Sequence, residues 1–350
     1  MTSGIDRLAP VVRLAPAKIN LTLAVLGRRS DGFHALHSVM APLDLADRLA
    51  VTAVAPPAAG DRLADSLHVS GLDPGPPDAN LVLRAFGVTR AFVRPTWSGA
   101  PAEPPPLAAR LEKRIPVAAG LGGGSSDAAA AIGAALEAWA ADATADERIR
   151  LAAELGSDVP FFLAGGLALV EGRGERITPL AGIRASEPPG VLLVSPSVAV
   201  STTAVFGAYV AGGGAPNPSS RLTSAHLADE LATGTLGSAE LVARTGVLAT
   251  ANDLVAATAT VEPRLPRFRR ALARVLGRPV AQSGSGPTLF ALYPSIQPAR
   301  TAADAVREAL GAGTLTPPGP GSVEVFAAQF ANSTLVRAGA RDGVGVEVTG

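Results

Sequence analysis

The sequence predicts a two-domain protein that mixes helices with strands. Its 350 residues suit two domains of ordinary size, each long enough to bury a core. The stretch 180–189 has the proline, glycine and serine content of a domain boundary, and segments of strand type and helix type occur on both sides of it. We therefore expect one domain over 1–180, a second over 181–338, and a loosely ordered glycine-rich tail over 339–350.

The first domain begins with two apolar segments of strand type, 11–14 and 19–25, which flank a turn-like Pro16-Ala17-Lys18. Asp31-Gly32 predicts a tight turn. The further predicted features are, in chain order, a helix over 80–91 capped by Asn80, a proline-rich surface loop over 95–106, a strand over 111–116, a helix over 146–155 and a strand over 166–170.

The second domain begins with a strand of buried type over 191–194, because four consecutive apolar residues suit a strand covered on both faces. A flexible loop is expected over 211–220. The segment 252–276 has a helical pattern that Pro263 and Pro266 interrupt. It is followed by strand, turn and strand over 279–293, a helix over 298–310 and a strand over 323–328.

The segment Gly120-Leu121-Gly122-Gly123-Gly124-Ser125-Ser126-Asp127 runs directly into an alanine-rich helix. The first amides of a helix have no partner within it and carry partial positive charge, so such a glycine-rich start predicts a phosphate site. A Walker A loop is excluded because the chain has no Gly-Lys pair, and the Rossmann spacing fails at Ser125. The alternative is an ordinary glycine-rich loop before a capped helix.

Lysine is nearly absent: Lys18 and Lys113 are the only two lysines among 30 basic residues. Retention against this arginine bias suggests positions where a compact ammonium cannot be replaced by a planar guanidinium. Lys113 lies shortly before the glycine-rich segment, which strengthens the inference for that region. The alternative is the chance retention of two surface lysines.

Composition excludes several classes of function. The chain has no cysteine and therefore no disulfide, thiolate metal site or cysteine nucleophile, which also fits a reducing cytoplasm. A formal net charge of zero argues against a nucleic-acid partner. No apolar stretch reaches membrane-spanning length, and no two histidines have the spacing of a metal site. We expect a soluble cytoplasmic protein, with His37 and His68 facing solvent or forming local hydrogen bonds.

Four motifs stand in order along the chain and together resemble the GHMP small-molecule kinases. They are Pro16-Ala17-Lys18-Ile19-Asn20-Leu21, the glycine-rich segment, Leu155-Gly156-Ser157-Asp158-Val159-Pro160-Phe161-Phe162, and Ser283-Gly284-Ser285-Gly286-Pro287-Thr288. A fifth segment, Arg28-Arg29-Ser30-Asp31-Gly32-Phe33-His34-Ala35-Leu36, is similar to the cytidine-binding segment of one branch of that superfamily. The resemblance covers roughly residues 13–330.

The resemblance implies the two-domain α+β GHMP kinase fold. In this fold an N-terminal domain like ribosomal protein S5 domain 2 and a ferredoxin-like C-terminal domain enclose the active site in a cleft. It also implies ATP-dependent phosphorylation of the 2-hydroxyl of a CDP-linked methylerythritol in the non-mevalonate isoprenoid route. The alternatives are another GHMP kinase, of homoserine or mevalonate type, or a noncatalytic nucleotide-binding protein on the same scaffold.

The resemblance also assigns roles at the acceptor. It implies that Asp158 is the base on the substrate hydroxyl, that Lys18 lies beside it and that Asn20 helps to hold the polyol. From the residues alone, Asp158 before Pro160 is equally typical of a helix N-cap. Cytosine contacts are implied for the following residues, of which the first replaces the family's usual tyrosine: Phe33, His34 and Phe206.

For ATP, the resemblance implies a pocket formed by Asn80, Lys113 and Pro116 together with the glycine-rich segment 120–127. A helix cap and a strand surface charge are the alternatives for Asn80 and Lys113. The loop Gly284-Ser285-Gly286 is expected at the substrate phosphates, unless it is only a hairpin turn. Mg2+ is expected on the phosphates, mostly hydrated, because no acidic cluster predicts a dedicated metal site.

Overall fold

The structure of the protein is a computed structural model that describes residues 9–54, 64–72, 80–98 and 103–331. The predicted tail over 339–350 and residues 99–102 of the proline-rich loop lie outside the described residues.

The described N-terminal half contains a sheet of seven strands. They are β1 Val11–Asn20, β2 Ala24–Arg28, β3 His34–Ala53, β4 Ser66–Gly71, β5 Leu107–Lys113, β6 Ala168–Gly172 and β7 Arg176–Pro179. The order is β4-β5-β3-β6-β7, and β1 and β2 also pair with β3. Only the β4·β5 pairing is parallel among these. The 20-residue strand β3 therefore organises the whole sheet.

Four helices cover this sheet: α1 Leu81–Val93, α2 Gly123–Ala138, α3 Ala145–Leu155 and α4 Val159–Ala164. Side-chain hydrogen bonds cap the N-termini of α1 and α3. Asn80 Oδ1 accepts from the amide of Val82, and Thr144 forms a reciprocal capping box with Glu147. Because α2 is rich in alanine, it packs closely on β1, β3 and α1, and its buried face joins the core around Phe86 and Ile132.

The C-terminal half contains a four-stranded antiparallel sheet of β8 Gly190–Pro196, β9 Ala281–Gln282, β10 Leu289–Tyr293 and β11 Val323–Gln329. The spatial order is β11-β8-β10-β9, so in chain order the strands lie fourth, first, third, second. This is the arrangement expected of the ferredoxin-like domain. Its helices are α5 Thr202–Ala211, α6 Pro218–Thr233, α7 Ser238–Ala243, α8 Thr245–Leu248, α9 Val255–Val261, α10 Leu265–Leu276 and α11 Ile296–Gly311.

Strand β8 is buried on both faces, as its continuous apolar sequence predicts. Leu192 and Val194 face the core that α10 and α11 cover. Val191 and Leu193 face a second core, which also contains Ile19 of the N-terminal sheet. The two halves therefore both contribute to this second core. The expected boundary at 180–189 falls in the connection from β7 to β8.

Several local expectations are wrong. Pro16-Ala17-Lys18 is not a turn: β1 continues through it, and the pairing with β3 shifts register between Pro16 and Lys18. The second part of the proline-rich loop is not at the surface, because Pro104 and Pro106 are buried. Strand β5 ends at Lys113 rather than at 116, and the 211–220 loop is shortened by α6, which begins at Pro218.

His37 is also different from the expectation: it is buried, and its Nδ1 lies 2.8 Å from Ser224 Oγ, which is distant in sequence. Among the described residues, no helix has both the length and the apolar character needed to cross a bilayer.

Candidate active site

A cavity of about 1030 Å³ lies between the two halves. The glycine-rich segment lines one end, and Phe33, His34 and Phe206 line the other. Lys18 and Asp158 line it as well, and Gly284 and Ser285 bring the C-terminal half to its wall. The four sequence motifs that are far apart in the chain therefore meet at one cavity.

Helix α2 presents its N-terminus to this cavity. Its N-cap is Gly122, and no side chain caps its first amides. Gly123, Gly124 and Ser125 of the first turn line the cavity. Uncapped amides and the helix dipole together attract an anion, so this end of the cavity suits phosphate.

The backbone at Gly120 and Gly122 explains why this segment is glycine-rich. Both residues have left-handed φ angles, +78° and +71°. A Cβ at Gly120 would lie 2.5 Å from the carbonyl oxygen of Ser283, and one at Gly122 would lie 3.0 Å from Lys18 Cγ. The glycines therefore let the segment approach both Lys18 and the 283–286 loop.

The 283–286 loop is tied to the glycine-rich segment by hydrogen bonds. Ser283 Oγ donates to the carbonyl of Gly120 at 2.9 Å, and the amide of Thr288 donates to the carbonyl of Ala119 at 3.2 Å. Asn252 Nδ2 donates to the carbonyl of Gly284 at 2.8 Å from the opposite side. The loop is therefore held as a fixed wall and is more than a hairpin turn.

Lys18 lies at the junction of these elements. Its ammonium donates to Asn20 Oδ1 at 2.7 Å and lies 3.4 Å from Asp158 Oδ2. The Lys18 side chain is only 4% exposed, whereas that of Asp158 is 36% exposed. Asn20 is oriented in turn by its Nδ2, which donates to Ser38 Oγ at 2.9 Å.

Asp158 occupies the N-cap position of α4, but its side chain makes no capping hydrogen bond. The carboxylate points to Lys18 instead and remains partly open to the cavity. The structure thus joins the two alternatives from the sequence: the residue begins the helix, while its side chain is free for chemistry. A carboxylate that accepts a proton beside an ammonium that stabilises negative charge suits the activation of a hydroxyl.

Lys113, the second lysine, is held differently. Its Nζ contacts Asp47 Oδ2 and lies 2.7 Å from Asp127 Oδ2, and all three side chains are almost completely buried. Asp47 Oδ1 also accepts from the amide of Ile115 at 2.9 Å. Lys113 therefore fastens β5 to β3 and to α2, and it is not the surface charge that the alternative interpretation proposed.

Burial and charge shift the pKa values of this group. Burial raises the pKa of Asp127 to about 7, an effect that Lys113 opposes and Asp47 reinforces. Burial alone would lower the pKa of Lys113, but the two carboxylates outweigh it, and the pKa is raised. One ammonium between two buried carboxylates cannot neutralise both, so Asp127 binds a proton near neutral pH.

The other end of the cavity is aromatic. His34 and Phe206 stack with ring centroids 5.0 Å apart and an interplanar angle of 21°. This is direct ring contact, so a base does not fit between these two rings as they stand. Tyr209 packs edge-on against His34, and the guanidinium of Arg173 lies 4.7 Å from the centroid of the Phe33 ring. An aromatic base thus has exposed ring surface to stack on at Phe33.

The pKa of His34 is lowered, first by burial and then by the positive charge of Arg28. The imidazole is therefore neutral at pH 7 and offers one donor and one acceptor. Such a pair suits the edge of a nucleobase.

Most of the predicted site residues line the cavity: Lys18, Asn20, Phe33, His34, Asn80, Lys113, Pro116, Gly120, Gly122, Gly123, Gly124, Ser125, Asp127, Asp158, Phe206, Gly284 and Ser285. The other three, Leu121, Ser126 and Gly286, lie outside that lining. Leu121 is a core residue whose carbonyl accepts from the amide of Lys18. Asn80 uses its side-chain oxygen as the helix cap.

Sequence reasoning missed three residues that organise the site. Asp47 fixes Lys113, Asn252 holds the 283–286 loop, and Thr202 Oγ1 lies 2.9 Å from Ser285 Oγ. Each acts on a partner more than 30 residues away in the chain, and none stands in a recognisable motif. Ser283, which also organises the site, differs from these three because it stands inside a motif that the sequence analysis identified.

The described residues contain no group of three or more histidines or acids placed to hold a metal. Asp127 and Asp158 are the carboxylates that line the cavity, and Asp127 is engaged with Lys113. A single open carboxylate beside a phosphate site fits Mg2+ bound mainly through phosphate oxygens and water.

Comparison with known proteins agrees with this geometry. Residues 80–166 match the model of the GHMP kinases N terminal domain. The 4-diphosphocytidyl-2-C-methyl-D-erythritol kinase of Pelotomaculum thermopropionicum is 40% identical over 295 residues, which cover 84% of this chain and 92% of the relative.

Solved structures give the same picture. The crystal structure of a 4-(cytidine 5'-diphospho)-2C-methyl-D-erythritol kinase is similar with a TM-score of 0.62 and 32% identity, covering 91% of this chain and all of that one. The homoserine kinase from Cytophaga hutchinsonii has a TM-score of 0.61 at 16% identity and covers 94% and 96% of the two chains. The latter likeness shows the shared two-domain α+β fold, which kinases of different substrates have in common.

Proposed function

The chain belongs to the 4-diphosphocytidyl-2-C-methyl-D-erythritol kinases of the GHMP superfamily, and on that premise we propose that it transfers the γ-phosphoryl group of ATP to the 2-hydroxyl of 4-diphosphocytidyl-2-C-methyl-D-erythritol. The observation that carries the proposal is the position of Lys18. Its amide donates to the carbonyl of Leu121, the residue before the N-cap of α2, and its ammonium pairs with Asp158, within one cavity.

At the phosphate end, the uncapped amides of α2 bind the triphosphate of ATP, and Asn80 and Pro116 line the adenosine side. Lys113 and Asp127 stabilise the fold at this end and do not bind the phosphates through their charges, because each already pairs with a buried partner. Mg2+ bound to the phosphates would neutralise part of their charge and would be held mainly by phosphate oxygens and water.

At the acceptor, Asp158 accepts the proton of the 2-hydroxyl while the hydroxyl oxygen forms the new bond to the γ-phosphorus. The bond from that phosphorus to the bridging oxygen breaks, and ADP leaves with the electron pair. Lys18 stabilises the charge on the transferring group, and Asn20, which donates to Ser38, presents its amide oxygen to Lys18. A fixed carboxylate and ammonium thereby hold the reactants in line.

The aromatic end supplies the specificity. Neutral His34 reads the cytosine edge, Phe33 provides a stacking face, and Phe206 packs on His34. Homoserine and mevalonate contain no nucleobase that His34 and Phe33 could bind, which argues against the alternative kinases. A noncatalytic binder needs no open carboxylate beside a buried ammonium, which argues against the remaining alternative.

The direct test measures ADP release with ATP and a set of acceptors: the CDP-linked methylerythritol, the unlinked methylerythritol phosphate, homoserine and mevalonate. We expect turnover with the CDP-linked acceptor alone, and phosphorus NMR should show a new phosphomonoester on it. Turnover of homoserine or mevalonate with the same efficiency as the CDP-linked acceptor would overturn the proposal. A lack of turnover with every acceptor in the set would overturn it as well.

Replacing His34 separates the two substrates. We expect His34→Ala to raise KM for the cytidine substrate by about tenfold, the worth of one or two hydrogen bonds, and to leave KM for ATP unchanged. His68→Ala, an exposed histidine on β4, is the matched control and should change neither. An equal rise in both KM values would remove His34 from base recognition.

Acid should have the same selective effect on the parent enzyme. Because the pKa of His34 is lowered from 6.5, the neutral form persists to lower pH than in a free imidazole. KM for the cytidine substrate should rise only as the pH falls below 6.5, and this rise should be absent from His34→Ala. A location in the cytoplasm and the absence of a nucleic-acid partner stay predictions from composition.

A further inference from the structure

A second cavity of about 750 Å³ lies in the C-terminal half, away from the phosphate end of the site. Helices α9 and α10 and the segments around 215 and 280 form it. Its volume falls within the range of small-molecule pockets. The reaction proposed above makes no use of it.

The wall of this cavity is largely apolar. Most of the side chains that line it are small and aliphatic, including Val255, Ala256, Ala259, Leu265, Ala273 and Val280. An apolar wall of this size is filled best by an apolar body of several carbon atoms.

The rim carries positive charge. Arg269 and Arg270 of α10 line the cavity, and Arg267 and Arg274 continue an exposed row of arginines along the same helix. None of the salt bridges among the described residues involves these four, whereas Arg264, the N-cap of the same helix, pairs with Glu262. Because no carboxylate compensates them, they attract an anion.

The inner surface has the opposite preference. Asp253 Oδ2 accepts from the amide of Val25 at 2.8 Å, while the buried Oδ1 has no hydrogen-bond partner. A carboxylate in the wall of the cavity repels a second anion. The anionic group of a ligand therefore belongs at the rim, near exposed Arg270, and the inner part of the ligand is neutral.

We propose that this cavity is a second ligand site, which binds an amphipathic anion with a neutral apolar body inside and one phosphate or carboxylate group at Arg270. Arg269 places Nε and Nη2 on the carbonyls of Val280 and Ala249 and so forms a fixed part of the wall. Arg270 keeps its guanidinium for the ligand.

The site is connected to the cytidine end of the active site by two contacts. Tyr209 lines the second cavity and packs edge-on against His34, with ring centroids 6.1 Å apart. Asn252 and Gln282 also line it, and both donate to the carbonyl of Gly284. A ligand that restrains these side chains restrains the cytosine reader and the 283–286 loop, and it should favour binding at the cytidine end.

Isothermal titration calorimetry on the full chain tests the site with octyl phosphate, octanoate, octanol and inorganic phosphate as probes. We expect octyl phosphate or octanoate to bind at least about tenfold more tightly than octanol and inorganic phosphate, since both parts of the ligand contribute. The stronger of the two identifies the head group. Equal binding of octanol, or no binding of either anion, would overturn the proposal.

Paired variants locate the binding. Arg270→Glu should weaken the anionic probe by about tenfold, whereas Arg267→Glu makes the same charge change outside the cavity and should have little effect. Ala256→Phe should block the mouth, whereas Thr260→Phe on the same helix should not. Thermal melts confirm that each variant is folded, and equal effects within either pair would refute the location.

The connection has its own readout, which rests on the proposed function, whereas the calorimetry above does not. A saturating anionic probe should tighten the binding of CDP by about fivefold and leave that of an ATP analogue unchanged. CDP in turn should tighten the probe by the same factor. Unchanged CDP affinity with the probe bound would refute the connection.

Discussion

Lys18 and Lys113 are both buried, but the groups around them differ. Lys18 has an amide oxygen and one carboxylate, Asp158, which is 36% exposed and open to the cavity. Lys113 has two carboxylates, Asp47 and Asp127, which are 0% and 5% exposed. In the first arrangement, the open pair of Lys18 and Asp158, the reactive groups lie within reach of a substrate. In the second, the closed group of Lys113, Asp47 and Asp127, all three side chains are almost completely buried and contact one another through Lys113.

The difference shows that one composition signal had two physical causes. Arginine replaces lysine almost everywhere in this chain, and each surviving lysine is almost completely buried beside a carboxylate. At Lys18 the requirement is a compact charge beside a reacting oxygen. At Lys113 it is a compact charge that fits between two buried carboxylates and joins β5, β3 and α2.

The largest effect is expected at the open pair. Asp158→Asn removes the proton acceptor while keeping shape, so kcat should fall by about 10³-fold. The melting temperature should fall by only a few degrees, because the Asp158 side chain is 36% exposed and makes no capping hydrogen bond, and Lys18 keeps its hydrogen bond to Asn20 although it loses a carboxylate partner. Asp142→Asn, an exposed carboxylate change, is the control for both readouts. An early-melting variant whose folded fraction remains active would return Asp158 to a structural role.

At the closed group the effect should fall on stability. Lys113→Met leaves two buried carboxylates without a counter-charge, and we expect the free energy of unfolding in urea to fall by about 3–5 kcal/mol. Arg110→Met, at an exposed position of the same strand, should cost less than about 0.5 kcal/mol. A Lys113→Met protein of parental stability would show that the closed group is not an anchor.

The smallest effect concerns Asp127. Its folded-state pKa is raised from 3.8 to about 7, so the stability that its proton provides is complete below pH 3.8 and is lost as the pH rises through 7. Asp127→Asn stays neutral throughout. Its unfolding free energy relative to the parent should therefore improve by about 2–3 kcal/mol between pH 5 and pH 8, because about two pH units separate pH 5 from the folded-state pKa. A difference that does not change with pH would refute the raised pKa of Asp127.

The sequence identifies the open site well because its elements are local. The glycine-rich segment, Asp158 before Pro160 and the 283–286 loop each combine residue type and spacing within a few positions, and the structure brings all of them to one cavity. The two-domain α+β fold followed from the family that these motifs resemble. Strands β8 and β10 were also visible, because their apolar sequences are continuous, and so were strand β11 and helix α11.

What the sequence could not show depends on contacts between distant residues. Asp47 is an unremarkable acid in the 20-residue β3 until folding places it against Lys113, 66 residues away. β3 itself was missed because its residues are buried on one face in places and on both in others. The turn predicted at Pro16 failed because pairing with β3 carries the chain straight through a bulge, which overrides the local turn preference.

The division of roles between the two lysines is tested most directly by two matched variants, Lys18→Arg and Lys113→Arg, with kcat, the Kd of an ATP analogue and the unfolding free energy measured on each. For Lys18→Arg we predict that kcat falls by at least about 10²-fold while the analogue's Kd and the stability are kept. For Lys113→Arg we predict the reverse: lost stability, with kcat per folded molecule within about threefold of the parent. Near-normal turnover in Lys18→Arg would contradict the assignment.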